Sequence, residues 1–584
     1  ADIMFLLIVC VNLRSRQREI MASASRQARM AFVKFDQESA QMSVSFKYDS
    51  DLVPERLFTM NRRVDEPIEA ALKRLRMNIG LIAVSRLRKK KRAIEKKGMS
   101  VAQDNNSGVT QANVQQQDPD EEFQLDISIE DMNGKPLEPQ LQNQDAFQTG
   151  NVLVIGERRL PIVVNAPTII RINLPKVMMA GFPVQAYATL ENADLSDSVF
   201  SWWRNATRGE TFVDCAEGDV IKEKSLTWIR IPGETDIIYT PKEKDIGCRL
   251  RVCCEPRSGS TAGVPISAYS TAVVAPAPSR CPFEDRHLLT AEVLPDDLLR
   301  VVSYNLLADI YAHTNYSKDV LYNYCPNDAL DFNYRKHLLV KEILGYNGDI
   351  LCLQEVDRGM FKYELFPCLS RRGFDGMYGE KDGKTPEGTA MFYRRSKFSL
   401  IDSGLDALSK EVQDATCLSD IRDAVNKNPQ LLKRMTNRTT VLQRMLLRHN
   451  ASGRELLVCN THLYFHPDAD HIRLLQAFIC MRLAENILEN VERETNRKCG
   501  LVFCGDFNST PDFGVYQLFT TGKVSHDSHD WKSNEKEAVC NLTATIGRTL
   551  HSAYGRPEYT NYTADFNGCL DYIFHSQELS SESV

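Results

Sequence analysis

The sequence predicts an α/β fold for the carboxyl-terminal half of the chain, preceded by a β-rich, Ig-like accessory region. Two patterns support this prediction. From about residue 297, apolar strand-like runs alternate with longer helical segments such as 470–492, which carries one apolar face. Between about 122 and 275, short alternating apolar segments are broken by Gly, Pro and Asp turns, which is typical of a β-sandwich.

The first 39 residues are interpreted as a leader. Basic residues from Arg14 to Lys34 are separated mainly by Ser and Ala, a pattern shared by transit peptides and by disordered termini, and both interpretations stay open. The apolar run 4–10 is too short to span a bilayer, and we expect no membrane association.

Residues 40–160 are predicted to form a mixed region of strands and helix. A helix is expected at 66–97, with Ile68, Leu75 and Ile79 on one face. The segment 98–120 is rich in Gln, Asn and Asp and is predicted to be a linker. The basic run that ends the helix fits either a solvated face or a contact with nucleic acid.

The rest of the chain is divided into three segments. Residues 161–275 are predicted to be the Ig-like β-sandwich, and the Pro- and Ala-rich stretch within 276–296 is predicted to be an interdomain linker. Residues 297–584 are predicted to be the catalytic α/β domain. Accessory sandwiches bind or position more often than they catalyse, so the chemistry is expected in the last segment.

Composition narrows the class of protein. The 584 residues carry a formal charge of -6, which gives no global basic field, so any contact with nucleic acid must come from local patches. The 16 cysteines form no CxxC pair and lie mostly within apolar runs, which favours free buried thiols over structural zinc or disulfides.

Polar residues end several apolar runs of the last segment. Because such strand ends meet at one edge of a sheet in α/β enzymes, these side chains are expected to form one site. The runs are VVSYN at 301–305, ILCLQEVD at 350–357, LLVCNTH at 456–462 and LVFCGDFN at 501–508, and a fifth, LDYIF at 570–574, contains Asp571 at its start.

This set of side chains suits a hard divalent cation. It offers few carboxylates, several amides and one histidine, without the Ser/His/Asp or Cys/His order of covalent catalysis. Mg²⁺ is typically held by one or two carboxylates with waters and phosphate oxygens, and Glu355 with Asn305 fits that description, with Mn²⁺ as the alternative ion. The ordinary alternative for Glu355 is a surface acid.

Asp506 and Asn508 suggest hydrolysis of a phosphodiester. They lie two residues apart, so both side chains point the same way if the strand continues. The Asp can orient or deprotonate a water and the Asn can donate to a phosphoryl oxygen, as in-line hydrolysis requires. His462 is either a phosphate contact or a structural histidine.

The joint set of motifs resembles the exonuclease/endonuclease/phosphatase superfamily, whose fold is a two-sheet α/β sandwich. The matching segments are Ser303–Leu307, Leu353–Asp357, Gly388–Ala390, Asn460–Leu463, Gly505–Pro511 and Leu570–Ile573.

Within that superfamily, the end of the chain resembles the deadenylase branch. The segment YTNY at 559–562 is followed by Phe566, the position at which this branch stacks an adenine, so Phe566 and Asn561 are the candidate substrate-binding residues. Core packing is the alternative role of Phe566. The β-rich region, including 178–184 and 239–247, is similar to that of the mitochondrial 2′,5′-phosphodiesterases.

The resemblance implies a magnesium-dependent 3′-to-5′ exonuclease of the mitochondrial matrix. Its partner would be RNA, and it would release AMP from 2′,5′-oligoadenylates and from the poly(A) ends of mitochondrial RNA. Carried over by position, Glu355 binds metal with support from Asn305 and Asp506 aligns the water. Asn508 and His462 hold the scissile phosphate, and Asp571 orients a final histidine. Oligomeric state is not predicted.

One departure from the family pattern concerns that histidine. The family has a Ser-Asp-His motif and a closing strand some tens of residues after LDYIF, whereas this sequence stops at Val584, and His575 is too near Asp571 to replace it. We therefore expect the domain to be truncated, with an exposed sheet edge. The alternative function is a catalytically impaired RNA-binding or scaffold form. A DNA-repair endonuclease or a phosphoinositide phosphatase is disfavoured by the sandwich region and by YTNY.

Overall fold

The computed structural model describes most of the chain. The described backbone covers residues 30–36, 39–102, 125–207, 209–210, 216, 218–223, 225–381 and 385–582, and within 68–102 the side chains are described up to 89. The leader prediction for 1–29 and the linker prediction for 103–120 lie outside this part. The chain divides into two compact units, which are described separately: 1–174 with 186–237 and 250–270, and 175–185 with 238–249 and 271–584.

The first unit contains a mixed sheet, whose strands run in the order β3-β2-β1-β6-β5-β4. Strand β1 lies inside this sheet, antiparallel to β2 and parallel to β6, with Ala31 and Val33 buried. Residues 31–36 therefore belong to the folded unit, and the predicted leader boundary at 39 is wrong because pairing with β2 and β6 orders this short segment. The strands are β1 (Ala31–Asp36), β2 (Gln41–Ser50), β3 (Val53–Arg63), β4 (Ile127–Glu130), β5 (Val152–Ile155) and β6 (Arg158–Val164).

A long helix, α1 (Ile68–Ala102), packs on this sheet, and α2 (Asn143–Ala146) follows β4. The predicted face is confirmed, since Ile68, Leu75 and Ile79 are each at most 1% exposed. The helix extends five residues into the segment predicted as linker.

The segment predicted as an Ig-like sandwich is β-rich, but the Ig-like topology is not confirmed. The described strands form one sheet in the order β11-β12-β10-β14-β15, with β16 also on β14, and a separate two-stranded sheet of β7 and β9. Strand β6 spans the predicted boundary at 161 and pairs into the first sheet. The bounds are β7 (Thr168–Asn173), β8 (Val184–Gln185), β9 (Tyr187–Glu191), β10 (Asp194–Asn205), β11 (Val220–Glu223), β12 (Leu226–Arg230), β13 (Ile238–Tyr239), β14 (Arg249–Ser258), β15 (Thr261–Ala262) and β16 (Ile266–Val273).

The second unit begins with β8 and β13, which pair with each other. The predicted linker 276–296 is partly ordered structure, because it contains α3 (Phe283–His287) with Cys281 and Phe283 buried. His287 also contacts the carbonyl of Glu342. This contact and the buried apolar side chains fix the segment onto the catalytic domain, which its Pro and Ala content did not indicate.

The catalytic domain is the predicted sandwich of two sheets. One sheet has the order β17-β18-β20-β19 and the other β21-β22-β23-β24-β30-β27. Parallel pairing of β17 with β18 and of β23 with β24 brings their carboxyl ends to the same edge. The strands are β17 (Val301–Asn305), β18 (Ile350–Asp357), β19 (Phe374–Glu380), β20 (Glu387–Arg394), β21 (Phe398–Ala407), β22 (Val441–His449), β23 (Glu455–His462), β24 (Gly500–Asp506), β25 (Lys523–Val524), β26 (Ala544–Thr545), β27 (His551–Ser552), β28 (Asn561–Tyr562), β29 (Asn567–Gly568) and β30 (Asp571–His575).

Apolar side chains of both sheets, including Cys352, Val458 and Cys504, fill the space between them. Helices cover the outer faces, with the predicted helix at 470–492 present as α12. They are α4 (Asp309–Ala312), α5 (Asn327–Leu330), α6 (Phe332–Gly345), α7 (Arg358–Met360), α8 (Phe366–Arg371), α9 (Leu408–Asp414), α10 (Ser419–Asn426), α11 (Pro429–Thr436), α12 (Asp470–Thr495) and α13 (Gly514–Thr521), with π-helical turns at Ser317–Leu321 and Phe361–Leu365.

The structure bears on the state of the cysteines and on the presence of membrane-spanning helices. The described cysteines are free thiols, and most of them are buried, as expected. Within the part of the chain that the structure covers, no helix combines the length and the apolar character needed to cross a bilayer.

Candidate active site

The polar strand ends meet at one edge of the sandwich. Asn305, the last residue of β17, donates from Nδ2 to Glu355 Oε1 and to Asp506 Oδ2, at 3.0 Å in each case. Glu355 lies on the neighbouring strand β18, whereas Asp506 ends β24 of the other sheet. The structure therefore brings the two predicted metal-site residues together with the predicted water-aligning carboxylate.

The backbone around this cluster adopts a rare conformation. Glu355, Leu307 and Asn508 have φ values of 51°, 55° and 49°, in the left-handed region that residues other than Gly seldom occupy. At Glu355 the pairing of β18 with β20 shifts register between Leu353 and Val356, as in a β-bulge. Such conformations cluster at functional sites because the surrounding fold must hold them in place.

The loop after β17 fixes the first two side chains. The amide of Leu307 donates to Asn305 Oδ1 at 2.9 Å, and the amide of Ala308 donates to Glu355 Oε2 at 3.0 Å. Asn305 thus presents its amide nitrogen, not its oxygen, to the carboxylates. Its hydrogen bond fixes the position of Glu355, and the supporting role in metal binding that the family resemblance implies stays a prediction.

His462 lies beside Asp506, with 3.8 Å between Nε2 and Asp506 Oδ2. Burial, followed by the positive charge of Lys381, lowers the pKa of His462 well below its usual value, so the ring is neutral. Its Nδ1 is buried and has no hydrogen-bond partner among the described residues. A structural histidine would have both nitrogens satisfied, so this arrangement favours a contact with a bound group.

Asn508 reaches the same site by a different geometry from the one predicted. Strand β24 ends at Asp506, and the left-handed turn at Asn508 breaks the alternation on which the prediction of parallel side chains depended. The amide N–H of Asn508 donates to Asp506 Oδ1 at 2.9 Å, and its side chain donates to the carbonyl of Leu463 at 2.9 Å. One side-chain N–H hydrogen of Asn508 is left for another acceptor.

Asp571 lies directly across from Asp506, its partner in the register of β24 with β30. Thr560 Oγ1 donates to Asp571 Oδ2 at 2.6 Å, whereas Oδ1 is buried without a partner in the described structure. His575, on the same strand, hydrogen-bonds with Ser576 and Ser581. The free Oδ1 is the atom that could orient a histidine, as the family resemblance implies.

The three carboxylates carry unusual electrostatics. Removal of water by the surrounding protein raises the pKa of Glu355 to about 7, and the same cause, with the charge of Asp571 second, raises that of Asp506 to about 7. Burial also raises the pKa of Asp571 to about 6. Excess negative charge crowded in one cleft is the condition that a divalent cation relieves.

The donor set fits a hard cation. No group of three or more His, Cys, Asp or Glu side chains converges as a closed metal cage in the part of the chain that the structure covers. Mg²⁺ does not require such a cage, because one or two carboxylates with waters and substrate oxygens suffice. Glu355 supplies the carboxylate. Negative charge that a cation would balance is indicated by the raised pKa of Glu355 and by the Asp571 oxygen that has no hydrogen-bond partner in the described structure.

The predicted adenine-binding residues lie on a small hairpin of β28 and β29 near Asp571. Phe566 is 44% exposed, so the alternative of core packing for this ring is wrong. A Cβ at Gly568 would lie 2.8 Å from the Phe566 ring, so glycine lets the ring lie against the hairpin backbone. Asn561 is half-buried and pairs with Gly568.

Sequence reasoning missed a cation beside the carboxylates. Lys381 Nζ lies 2.5 Å from Glu387 Oε1, which also accepts a hydrogen bond from the Tyr311 hydroxyl at 3.0 Å. Lys381 counteracts the upward pKa shifts of Glu355 and Asp506. The position of Glu387 immediately before the Gly388-Thr389-Ala390 motif was the available signal.

Comparison with known proteins agrees with this geometry. Residues 302–584 match the Endonuclease/Exonuclease/phosphatase family, and residues 166–275 match the 2′,5′-phosphodiesterase 12-like, N-terminal domain.

Two curated relatives lead to the same assignment through their sequences. Human 2′,5′-phosphodiesterase 12 is 39% identical over 438 residues, which cover 74% of this chain and 70% of the human protein. The CCR4-Not complex 3′-5′-exoribonuclease subunit Ccr4 of Yarrowia lipolytica is 32% identical over 49% of this chain and 43% of its own. The solved structure of ANGEL2, a 2′,3′-cyclic phosphatase, in complex with adenosine-2′,3′-vanadate is 24% identical, with a TM-score of 0.39, over 48% of this chain and 84% of its own. The chain belongs to the endonuclease/exonuclease/phosphatase family and, within it, to the 2′,5′-phosphodiesterase 12 group of phosphodiesterases.

Proposed function

We propose that the chain is a magnesium-dependent 3′-to-5′ exoribonuclease that releases AMP from 2′,5′-oligoadenylates and from the poly(A) ends of mitochondrial RNA in the mitochondrial matrix. The observation that carries the proposal is the Asn305 bridge between Glu355 and Asp506, close to a hairpin that exposes Phe566. The relatives, a 2′,5′-phosphodiesterase and a 3′-5′-exoribonuclease, support the class of substrate.

The metal site would be built around Glu355. When bound there, Mg²⁺ supplies positive charge to the phosphate oxygens and offsets the crowding of the carboxylates. Asn305 holds Glu355 in place through its Nδ2, and the Ala308 amide holds the second carboxylate oxygen. Mn²⁺, which accepts the same oxygen donors, is the alternative ion.

Asp506 would align and deprotonate the attacking water. Its pKa, raised to about 7, lies near neutral pH, where a general base is most effective. The Asn508 amide and Asn305 Nδ2 fix both of its oxygens, so its orientation is set before substrate binds. Neutral His462 and the free N–H of Asn508 would donate to the scissile phosphate.

Recognition of the base would come from the hairpin. The exposed ring of Phe566 offers a stacking surface for adenine, and Asn561 offers an amide for hydrogen bonding. The unsatisfied Oδ1 of Asp571 is the atom through which the family resemblance would have this carboxylate orient a histidine.

The experiment is AMP release from 2′,5′-linked and 3′,5′-linked oligoadenylates, measured in parallel with Mg²⁺, Mn²⁺ or EDTA. Glu355→Gln keeps the shape of the side chain and removes its charge, and the exposed Glu535→Gln is the matched control. Release that depends on metal and is lost only in Glu355→Gln would support the proposal, and the ratio of the two rates would rank the linkages. Adenylate binding without AMP release from either substrate would contradict it and favour the RNA-binding scaffold.

A further inference from the structure

A row of tyrosines runs along the surface beside the candidate site. Ring centroids are separated by 6.4 Å from Tyr322 to Tyr324, by 6.4 Å from Tyr324 to Tyr562 and by 5.5 Å from Tyr562 to Tyr559. Three of these rings are open to solvent, with Tyr324 58%, Tyr562 56% and Tyr559 49% exposed. Aromatic side chains are normally buried, so a contiguous exposed row indicates a binding surface.

Both ends of the tyrosine row are connected to the site. Burial and, after it, the negative charge of Glu355 raise the pKa of Tyr322. Tyr559 adjoins Thr560, whose hydroxyl donates to Asp571 at 2.6 Å. The row therefore extends from a tyrosine within reach of the Glu355 charge to the hairpin that carries Phe566.

The row is held in place by backbone contacts between two segments of the domain. The Ala564 amide donates to the carbonyl of Leu321 at 2.9 Å, and the Tyr324 hydroxyl donates to the carbonyl of Tyr562 at 3.3 Å. The turn that carries Phe566 is closed by the Thr563 amide, which donates to the Phe566 carbonyl at 2.8 Å. The rings are thus set in position before any ligand binds, which reduces the ordering cost of binding.

We propose that Tyr324 and Tyr562, with Tyr559, form a stacking surface for the second and third bases of a single-stranded adenylate whose terminal nucleotide lies at Phe566. This inference rests on the proposed function and deepens it by assigning the site for the bases that are not being removed. Stacking on aromatic rings tolerates any base, so the row would make the affinity for the substrate rise with the number of its nucleotides. Phe566 would stack on the base of the terminal nucleotide.

The test compares kcat/KM for a dinucleotide and a tetranucleotide of adenylate in Mg²⁺. In wild type the tetranucleotide should be the better substrate. Tyr324→Ala and Tyr562→Ala should each reduce kcat/KM for the tetranucleotide about 5- to 150-fold through KM, as expected for the loss of stacking on one base. The dinucleotide has a second base but no third, so at least one of the two variants should lose little activity on it. Tyr324→Trp should restore the activity that Tyr324→Ala loses on the tetranucleotide, and Tyr363→Ala, at an exposed tyrosine on the turn 361–365, should leave the activity on both substrates unchanged.

The outcomes separate the two proposals. Failure of wild type to hydrolyse either substrate would refute the proposed function. Hydrolysis of both substrates with no loss on the tetranucleotide in the Tyr324 and Tyr562 variants would overturn the stacking surface alone. Equal losses on dinucleotide and tetranucleotide in both variants would also overturn it, because neither ring would then contact the third base.

Discussion

Asn305 and Asp506 are joined by a 3.0 Å hydrogen bond that crosses from one sheet of the sandwich to the other. The same nitrogen also donates to Glu355, so one amide fixes the separation of two carboxylates with raised pKa values. The geometry of the site therefore depends on how the two sheets pack, as well as on the loops at their edge.

Replacing Asn305 with Ala should lower kcat strongly while leaving the fold intact. The change frees Glu355 and Asp506 to rotate and leaves their negative charges without a shared donor, so we expect a loss on the order of 10²–10³ in kcat, as for other preorganised donors. Steady-state kinetics with oligoadenylate, together with circular dichroism, would measure it. Asn305→Asp, which adds a fourth carboxylate to the cleft, should be at least as damaging, and full activity in either variant would contradict the positioning role.

The stability of the metal-free protein should depend on pH through Glu355. The pKa of Glu355 is about 7 in the folded protein against a usual 4.5, so the native state binds more protons than the unfolded state between these values. Stability attributable to this group therefore falls as pH rises from about 4.5 to 7, the reverse of a salt-bridged carboxylate. The measurement is the free energy of unfolding in EDTA at several pH values, for wild type and for Glu355→Gln.

The difference between the two proteins isolates the effect of Glu355 from the other carboxylates. Wild type should lose stability relative to Glu355→Gln across this pH range, and Mg²⁺ should raise the Tm of wild type more at pH 7.5 than at pH 5.5. A constant difference across the range would show that the Glu355 pKa is not raised.

The sequence identified the chemistry of the site better than its geometry. Polar ends of buried strands predicted that Asn305, Glu355 and Asp506 would meet, because strand topology alone determines which ends share an edge. The orientation of Asn508 was missed, since a left-handed turn depends on tertiary contacts such as the bond to Leu463. Lys381 was missed because its ion pair with Glu387 depends on how a hairpin folds back.

The amino-terminal boundaries show the same limit. The strand has only six residues, in which Ala31 and Val33 are buried and Phe32 between them is half-buried, and its pairing with β6, more than 120 positions later, is what orders it. A local pattern of this length is compatible with both a disordered terminus and a strand, so tertiary pairing decided between them.

Phe566→Ala should weaken binding of the terminal adenine. Loss of the exposed ring removes a stacking partner worth about 1–3 kcal/mol, which corresponds to roughly 5- to 150-fold in KM. Phe566→Trp should retain most of the affinity, because a larger π-surface is kept. Competition with adenosine monophosphate and with ribose phosphate would show whether the effect comes from the base, and equal weakening of both would argue against stacking.

Lys381→Met should reduce kcat/KM by about tenfold, a typical effect of removing a cation near a phosphate in a partly buried cleft. The substitution also leaves Glu387, which is fully buried, without its ion-pair partner, so the Tm should fall as well. Lys381→Arg keeps the charge and should preserve both kcat/KM and the Tm. The exposed Lys362→Met serves as the control, and an unchanged kcat/KM in Lys381→Met would place this lysine outside the reaction.

Gln354 and Asn460 should stabilise the sandwich as a pair. Gln354 Nε2 donates to Asn460 Oδ1 at 2.8 Å, and Asn460 Nδ2 donates to the carbonyl of Leu353 at 3.0 Å, so the two fully buried amides connect the sheets. Replacing either with Ala leaves the other buried amide without its hydrogen-bond partner, at a cost of about 1–3 kcal/mol in the free energy of unfolding. The double variant should lose less free energy of unfolding than the sum of the two single losses, by about 0.5–3 kcal/mol, because the second substitution leaves no further polar group without a partner.

Denaturant unfolding of wild type, the two single variants and the double variant measures this coupling. The exposed Gln430→Ala is the control, and it is expected to change the free energy of unfolding by less than about 0.5 kcal/mol. Strict additivity would mean that the two sheets are held by apolar packing alone, and that the Asn305 bridge at their edge depends on that packing.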